Sequence, residues 1–337
     1  MGQVDLNSLS LAELYGRLAG TGLVRRLLEL ARDEDLGPME SPWRGRARLD
    51  PHPDGRGAVD HRASGDITTA ACIGPDQRGE ASLVSRQAGV VAGLACMPEL
   101  LELFAPGASF EAAAADGESV ASGTALGVLR GPLDEILELE RTMLNLLSRL
   151  CGVATQTGKY LAAMRMGGPV RARLYDTRKT TPGLRVLEKY AVRCGGGHLY
   201  RMGLFDAVLI KDNHIAGVAA EELPEFIRRA AAAARGAGSP SSVEVEVDSI
   251  AQFERLLTLP EGTIDIVLLD NMTTEQLRSA VELRDGRGSR VELEASGGVD
   301  LGTIRAIAET GVERISVGAL TRSAISLDLG LDIVPHM

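Results

Sequence analysis

Side chains that could bind a small anion are concentrated in one stretch, from Tyr175 to His214. It holds seven Lys and Arg residues within about one βα repeat, whereas the whole protein is acidic, with a net charge of −10. Arginine suits bidentate binding of a carboxylate or phosphate, and lysine supplies a point charge. A local group of cations in an acidic protein favours a small, multiply anionic ligand over nucleic acid, which selects a broadly basic face.

Further polar residues stand where apolar runs end. Glu246 lies in VEVEV, and Asp270 ends IVLLD. If these strands form a barrel, a glutamate that faces its interior needs a cation or hydroxyl groups as partners. The sequences Ser296-Gly297-Gly298 and Gly318-Ala319 offer bare backbone N–H groups ahead of helices, an arrangement that cradles phosphate or simply makes a tight turn. Lys211 ends an apolar strand, where a bare ammonium is costly without an anion.

Apolar strands alternate with helices from residue 172 onward, which predicts a parallel sheet. The polar residues at the strand ends are spaced by 33, 35, 24, 26 and 22 residues; they are Arg178, Lys211, Glu246, Asp270, Ser296 and Gly318. This rhythm is typical of a βα barrel with its site on the carboxyl face of the strands. Six strands are predicted, at 172–176, 207–211, 243–247, 265–270, 291–296 and 314–318, so the barrel is expected to be incomplete.

The first part of the chain has a different pattern. Residues 9–32 have helical spacing, residues 37–65 form a Pro-, Gly- and Arg-rich loop, and residues 80–131 form short strands of a largely antiparallel sheet. Residues 109–120 read as a strand-turn-strand unit around Asp116-Gly117. We predict an N-terminal α+β domain over 1–140 with an insertion at 37–65, and a catalytic βα-barrel domain over 141–322. The tail of residues 323–337 could return to the first domain.

Composition excludes several classes. With 337 residues and 45% hydrophobic content, the chain can form a large core. Four cysteines show no metal-binding spacing and are expected to be reduced. The N-terminus lacks the features of a signal peptide, and no apolar run approaches the length of a transmembrane helix. We therefore expect a cytoplasmic protein with neither nucleic acid nor membrane as a partner.

Several of these segments together resemble one enzyme family. DTRKTTPG, the run GGG-x-x-x-R-x-GL, and LIKDNH are similar to the motifs of quinolinate phosphoribosyltransferases. The resemblance continues through ERTMLNLLSRLCGVAT, VEVEVDS, IVLLDNM, LEASGG and ISVGALT, and includes GDITT and RQAGVVAGL nearer the N-terminus. It covers nearly the whole chain in the family's order.

The resemblance implies an α/β fold: an unusual βα barrel with an N-terminal open sandwich. It also implies transfer of a phosphoribosyl group from phosphoribosyl pyrophosphate to quinolinate with loss of CO2, giving nicotinate mononucleotide. Mg2+ would accompany the donor, and no tightly bound organic cofactor is expected. The implied partners are the two small-molecule substrates and a second copy of the chain.

Roles for individual residues follow from the same resemblance. Arg178 and Arg201 would clamp the carboxylates with Lys211 close by, and Lys179 would serve donor or acceptor. The family's counterparts of Glu246 and Asp270 approach the ribose hydroxyls and the magnesium ion. The remaining predicted substrate-binding residues are Tyr200, Ser296, Gly297, Gly298, Gly318, Ala319 and Arg322. Arg141 would enter the neighbouring subunit's site; the alternative is a helix-surface ion pair with Glu138 or a contact with Asn145.

Two positions depart from the family pattern. Tyr200 stands where a histidine is expected, and Arg322 stands where many relatives carry histidine after GALT. His198 lies two residues before Tyr200 and could compensate, although neighbouring positions do not point the same way. His214 fits a packing role and a direct role equally well. The 37–65 insertion separates two segments that the family joins almost directly.

Three other functions stay open at this point. A paralogous phosphoribosyltransferase for another aromatic acid, of the molybdenum-operon type, is favoured by Tyr200. A Schiff-base lyase would use Lys211 but leaves the arginine group unexplained. A catalytically silent ligand-binding relative is made possible by the two departures, and the retained cations and carboxylates argue against it.

Overall fold

A computed structural model describes residues 4–37, 65–74 and 76–336 of the chain. These residues divide into two compact units. Unit one comprises residues 1–8, 156–181 and 196–323, and unit two comprises residues 9–155, 182–195 and 324–337. Most of the predicted 37–65 insertion lies outside the described residues. The predicted domain boundary at residue 140 stays a prediction.

Unit one is built on a six-stranded parallel sheet in the order β6-β11-β10-β9-β8-β7. Its strands are β6 (Arg173–Tyr175), β7 (Val208–Ile210), β8 (Val243–Val247), β9 (Ile266–Asp270), β10 (Glu292–Ser296) and β11 (Arg314–Ser316). Because β6 pairs with β11, the first strand lies beside the last, and the gap is between β6 and β7. One parallel bridge, from Tyr175 to His198, extends the sheet into this gap. The predicted incomplete six-stranded βα barrel is confirmed.

The strands of unit one alternate with helices, as the sequence predicts. The helices are α7 (Asp212–Ile215), α8 (Leu223–Ala237), α9 (Ile250–Leu256), α10 (Thr274–Gly286), α11 (Ile304–Ala308) and α12 (Ala319–Arg322). Ser249 and Thr273 cap α9 and α10 by accepting hydrogen bonds from backbone N–H groups of the first turn. The core is aliphatic: Val243, Val245 and Val267 are fully buried.

Unit two holds the antiparallel sheet, in the order β12-β1-β5-β3. Its strands are β1 (Arg78–Ser85), β3 (Ser109–Ala112), β5 (Ala125–Pro132) and β12 (Leu329–His336), and a separate pair joins β2 (Gly89–Val90) to β4 (Ser119–Val120). The C-terminal strand β12 pairs antiparallel with β1 along its whole length. An N-terminal sandwich-type sheet, as predicted, is therefore present.

The expected strand-turn-strand unit at residues 109–120 is present, with β3 and β4 on either side of the Asp116-Gly117 turn. The two strands beside the Asp116-Gly117 turn do not pair with each other, since β3 pairs with β5 and β4 pairs with β2. The Asp116 carboxylate accepts hydrogen bonds from the N–H groups of Leu94 and Ala95, which ties this turn to another segment.

Helices complete unit two. They are α1 (Leu11–Ala19), α2 (Leu23–Leu36), α3 (Ile67–Cys72), α4 (Met97–Phe104), the first part of α5 (Leu133–Arg165) and α6 (Arg185–Cys194). α1 begins with a capping box between Ser10 and Glu13. Helix α6 packs on α1 through the edge-to-face rings of Tyr190 and Tyr15, whose centroids are 5.4 Å apart. No helix of the described residues is long and apolar enough to cross a membrane.

Candidate active site

The carboxyl ends of the unit-one strands bring most of the predicted site residues to one face. Arg178 and Lys179 follow β6, and Lys211 follows β7. Glu246 lies near the end of β8, Asp270 ends β9, and Ser296 ends β10 directly opposite Asp270 in the sheet register. Gly318 and Ala319 follow β11. In a parallel barrel these ends share one mouth, which is where such barrels place their chemistry.

Lys211 and Glu246 form an ion pair at this mouth. The Lys211 ammonium donates to Glu246 Oε2, and the Glu246 side chain is only 11% exposed, against 42% for Lys211. A carboxylate this buried needs a partner of opposite charge, and Lys211 provides it. Glu246 also lines a cavity of about 320 Å³ together with Asp270, Asp212 and Asp248.

His214 closes the turn that carries Lys211. The Lys211 backbone N–H donates to His214 Nδ1 at 2.8 Å, and the His214 N–H donates back to the Lys211 carbonyl at 2.8 Å. The imidazole thus holds the backbone of Lys211 with Nδ1 unprotonated. This contact places His214 against the backbone of Lys211.

Lys179 and the loop after β11 are joined by direct contacts. Thr321 Oγ1 donates to the Lys179 carbonyl at 2.8 Å. A β-carbon at Gly318 would stand 2.8 Å from Lys179 Cδ, so the aliphatic stem of the lysine passes over bare backbone. Gly318 has φ −68 and needs no left-handed conformation, so its small size is what matters here. Arg322, at the end of the short helix α12, is exposed.

Asn271, which sequence reasoning did not single out, contacts the predicted site residues Asp270 and Ser296. It adopts φ +53, an uncommon conformation outside glycine, and its side-chain N–H donates to Asp270 Oδ2 at 2.7 Å. Its backbone N–H donates to the Ser296 carbonyl at 2.8 Å. Gly297, at φ +90, passes so close that a β-carbon there would stand 2.2 Å from Asn271 Oδ1. Asn271 therefore couples Asp270 to the glycine loop after β10. The DN dipeptide at a strand end was the available signal.

Tyr200 and Arg201 are not brought to the cavity that Glu246 and Asp270 line. They line a separate cavity together with Arg173 and Arg314, the first residues of β6 and β11. The Tyr200 N–H donates to Asp176 Oδ1 at 2.8 Å, and Arg201 Nη1 donates to the Ala207 carbonyl at 3.2 Å. Burial raises the pKa of the Tyr200 phenol, with the Glu244 carboxyl adding to the shift, so the hydroxyl stays protonated. His198 lines this same cavity and not the one at the strand carboxyl ends.

A polar cluster inside the barrel was also missed. Glu244, Glu294, Arg314 and Tyr175 are all buried, and we call them the interior cluster. Arg314 Nε donates to Glu294 Oε2 at 2.7 Å, and its guanidinium stacks 3.6 Å from the Tyr175 ring centroid. Burial, with the charge of Glu294, raises the pKa of Glu244 to about 8. Because Glu244 and Glu246 are both buried, an outward-facing phase for VEVEV is excluded.

Arg141 lies on α5 within unit two. Its side chain is 69% exposed, and the nearest carboxylate in its ion pair, that of Glu140, is 4.0 Å away. An exposed surface pair at this distance contributes little to stability. The Arg141 guanidinium is therefore largely exposed to solvent.

Comparisons with known proteins agree with this geometry. Residues 66–151 match the model of the quinolinate phosphoribosyl transferase N-terminal domain, and residues 153–332 match that of the C-terminal domain. The nicotinate-nucleotide pyrophosphorylase [carboxylating] of Mycobacterium leprae is 41% identical over 270 residues, which cover 80% of this chain and 91% of that protein. A probable enzyme of the same name from Methanothermobacter thermautotrophicus is 42% identical over 272 residues, covering 80% of this chain and 93% of the relative.

Solved structures are similar as well. The nicotinate-nucleotide pyrophosphorylase from Francisella tularensis superposes with a TM-score of 0.76 and 31% identity, covering 99% of this chain and all of the other. The Ehrlichia chaffeensis protein of the same name gives a TM-score of 0.74 and 31% identity, covering 92% and 98%. Both domain models together span most of the chain, and the strand-end residues lie where a barrel active site requires them. The chain belongs to the quinolinate phosphoribosyltransferase family.

Proposed function

We propose that this protein transfers the phosphoribosyl group of phosphoribosyl pyrophosphate to quinolinate. The ring nitrogen of quinolinate forms a bond to C1 of the ribose while the bond from C1 to pyrophosphate breaks. The 2-carboxylate then leaves as CO2, its electron pair stays on the ring carbon, and that carbon takes up a proton to give nicotinate mononucleotide. The observation that carries the proposal is the gathering of Lys179, Lys211, Glu246 and Asp270 at one mouth of the barrel in a member of this family.

The acceptor has two carboxylates, and the cations at this mouth suit them. Arg178 and Lys179 follow β6, and Lys211 follows β7, which lies across the gap in the barrel. The contact with Glu246 orients the Lys211 ammonium, while 42% of the lysine side chain stays exposed. An acceptor carboxylate would share this ammonium with Glu246. Arg201 as a second clamp, with Tyr200 beside it, stays a prediction, because both residues line another cavity in this structure.

The donor suits the loops and carboxylates of the same face. Ser296-Gly297-Gly298 and Gly318-Ala319 present backbone N–H groups at the last two strand ends, the usual phosphate position of such barrels. The transition state at C1 resembles an oxocarbenium ion, and a nearby carboxylate stabilises its positive charge. Glu246 and Asp270, which line one cavity, are the candidates. Arg322 is a candidate for contact with phosphate oxygens.

Magnesium is the expected companion of the donor. Within the residues that the structure describes, no group of three or more His, Cys, Asp or Glu side chains is arranged to hold a metal ion. Mg2+ commonly binds one or two carboxylates and takes its other ligands from water and substrate phosphates. Glu246 and Asp270, on one cavity wall, fit this manner of binding and would hold the ion partly through pyrophosphate. The ion would neutralise the charge of the leaving group.

The functional molecule is proposed to be a homodimer in which Arg141 completes the neighbouring site. The exposed guanidinium on α5 supports this proposal, since its carboxylate neighbour at 4.0 Å binds it weakly. Neither nucleic acid nor a membrane is needed for the reaction, and a cytoplasmic location stays a prediction.

A turnover assay tests the reaction directly. Purified protein with Mg2+, phosphoribosyl pyrophosphate and quinolinate should give equal amounts of nicotinate mononucleotide, pyrophosphate and CO2. Removal of Mg2+ with a chelator should abolish turnover, and added Mg2+ should restore it. Turnover of nicotinate or another aromatic acid in place of quinolinate would overturn the substrate assignment. Borohydride trapping of an adduct on Lys211 would indicate Schiff-base chemistry instead.

A further inference from the structure

Asn271 lies between two groups of the barrel mouth that the proposed reaction assigns to the donor. On one side is Asp270, the carboxylate that ends β9, and on the other is the loop Ser296-Gly297-Gly298 at the end of β10. These strands are neighbours in the sheet, and Asp270 stands opposite Ser296 in their register. Asn271 itself is exposed, so packing in the core does not explain why an asparagine occupies this position.

The backbone of Asn271 leaves the sheet in a left-handed conformation. Its φ is +53, and no other residue except glycine has a positive φ in the part of the chain that the structure describes. Most side chains are strained in this region, whereas glycine and asparagine enter it readily. The Asn271 N–H donates to the Ser296 carbonyl at 2.8 Å, which anchors the turn to β10. Glycine would serve this backbone equally well, so the amide side chain needs a separate explanation.

The amide of Asn271 makes a contact on each of its two sides. Its Nδ2 donates to Asp270 Oδ2 at 2.7 Å, a hydrogen bond that the charge of the carboxylate strengthens. Its Oδ1 lies against the backbone of Gly297, which passes so close that a β-carbon at Gly297 would overlap this oxygen. The amide therefore fills the space between the Asp270 carboxylate and the glycine loop and sets the distance between them.

A ligand that binds both groups requires this distance to be correct. A carboxylate accepts hydrogen bonds from the hydroxyls of a ribose, and the bare N–H groups of a glycine loop bind phosphate. In phosphoribosyl pyrophosphate the hydroxyls and the phosphates are carried by one ribose ring, so their spacing varies only within narrow limits. If the Asp270 carboxylate turned away from the loop, the donor could no longer reach both groups at once.

We infer that Asn271 is a positioning residue for the donor: its amide holds the Asp270 carboxylate at the distance from the Ser296-Gly297-Gly298 loop that phosphoribosyl pyrophosphate requires. The inference rests on the proposed function, which places the donor at these two groups. Asn271 acts through Asp270 and the loop and is assigned no contact with substrate. Because the acceptor is assigned to the cations that follow β6 and β7, loss of the amide should weaken donor binding and leave acceptor binding unchanged.

Three substitutions separate the role of the amide from that of the backbone. Asn271→Gly removes the amide and adopts the left-handed conformation without strain. Asn271→Ala removes the amide and adds strain, because its β-carbon is disfavoured at positive φ. Asn271→Asp keeps the size of the side chain but sets a second carboxylate against Asp270, and like charges at this distance repel. Glu275→Gln, an exposed change at the start of α10, is the matched control.

Donor affinity is measured by calorimetry with phosphoribosyl pyrophosphate and Mg2+ on the full-length protein, without quinolinate. Asn271→Gly and Asn271→Ala should each weaken binding about tenfold or more, the scale of one hydrogen bond to a charged group, and Asn271→Asp should weaken it further. Glu275→Gln should bind as the parent does. In urea unfolding, Asn271→Ala should have a lower midpoint than the parent, whereas Asn271→Gly should have the parental one. Glycine that restores both stability and donor affinity would reduce Asn271 to a structural role and overturn the inference.

Steady-state kinetics provide the second test. In Asn271→Gly the KM for phosphoribosyl pyrophosphate should rise about tenfold or more, while the KM for quinolinate stays at the parental value. An equal rise in both constants would overturn the inference, because the effect would not be confined to the donor. A parent that binds the donor but does not turn over quinolinate would contradict the proposed function alone, since the donor affinities of the variants still test Asn271. A parent that does not bind the donor would overturn both.

Discussion

The aliphatic stem of Lys179 lies over the bare backbone of Gly318, within 2.8 Å of where a β-carbon would stand. The contact joins the segment after β6 to the loop after β11, two neighbouring strands of the barrel. It is reinforced by the hydrogen bond from Thr321 to the Lys179 carbonyl. The position of one predicted catalytic cation therefore depends on the size of a residue in a predicted phosphate loop.

Gly318→Ala should lower kcat/KM without unfolding the protein. The added methyl group displaces the stem of Lys179, and a misplaced catalytic group costs roughly ten- to hundredfold in rate. Backbone strain is absent because φ at Gly318 is −68. We expect the free energy of unfolding to change by no more than about 1 kcal/mol, as measured by urea denaturation beside steady-state kinetics.

The control for this experiment is Gly236→Ala on α8, where a β-carbon would meet no atom within 4 Å. It should leave kinetics unchanged and stabilise the helix by about 0.5–1 kcal/mol. If Gly318→Ala has parental kinetics, the contact with Lys179 has no functional importance.

Lys211 and Glu246 should behave as one unit. Lys211→Met removes the cation and leaves Glu246, 11% exposed, without its partner, so kcat/KM should fall by on the order of 10²–10³. Glu246→Gln should also reduce activity. The double variant should lose less than the product of the two single losses, because residues in direct contact are not additive.

A double-mutant cycle on kcat/KM measures this coupling. Arg228→Gln, in an exposed pair with Glu225 on α8, is the matched control and should change neither kinetics nor stability appreciably. If the loss of kcat/KM in the double variant equals the product of the losses in the two single variants, Lys211 and Glu246 are not coupled.

Arg141→Ala and Lys211→Ala should complement each other. If Arg141 enters the partner's site, a hybrid dimer holds one site with both residues intact and one with neither. Randomly mixed subunits should approach about a quarter of parental activity, whereas each variant alone stays inactive. Refolded mixtures of differently tagged subunits provide the measurement.

The control mixture combines Arg141→Ala with the double variant Arg141→Ala/Lys211→Ala, which contains no intact site in any pairing. It should stay inactive. Heterodimers of the first mixture, isolated by both tags and lacking activity, would show that each site is completed within one subunit.

Glu244→Gln should change how stability depends on pH. The folded-state pKa of Glu244 is raised from 4.5 to about 8 by burial and by Glu294, with Arg314, Arg201 and Tyr200 also facing it. The folded state therefore binds this proton more tightly than the unfolded state. Its contribution to stability is complete below about pH 4.5 and is lost as pH rises through about 8.

Glutamine cannot ionise, so the variant should lose this part of the pH dependence. Relative to the parent, Glu244→Gln should be more stable at pH 8 than at pH 5, as measured by urea unfolding at one fixed protein concentration. Glu282→Gln, an exposed change on α10, should leave the difference between the two pH values unchanged. An identical pH dependence for Glu244→Gln and the parent would show that Glu244 is ionised in the folded state.

The repeating part of the fold could be predicted from sequence, because apolar runs of five or so residues alternate with capped helices. VEVEV at 243–247 is a strand with the predicted bounds. The grouping of the residues at the strand ends could be predicted from the same periodicity, because parallel strands bring their carboxyl ends together. The long helix α5 and the antiparallel strands of unit two were likewise visible as patterns.

Other features depend on contacts between distant segments, which periodicity does not specify. Tyr200 and Arg201 lie between two motifs that meet at the carboxyl mouth. However, the Tyr200 backbone N–H donates to Asp176, the Arg201 side chain donates to the Ala207 carbonyl, and both residues line the other cavity. The interior cluster could not be predicted from sequence, because a charged residue in a strand usually indicates that this face of the strand is exposed to solvent. Asn271 was missed because its role depends on the left-handed backbone and on Gly297, 26 residues later.

The pairing of first with last strands has a consequence for synthesis on the ribosome. In unit one β6 pairs with β11, about 140 residues further along the chain, and in unit two β1 pairs with β12, which ends at His336. The parallel sheet cannot acquire its full set of strands until β11 has emerged, and the antiparallel sheet cannot do so until β12 has emerged. Contacts this remote in sequence slow folding, and strands that wait for their partners present open edges. The newly made chain should therefore be most exposed to aggregation before β11 and β12 have emerged, when chaperone protection would matter most.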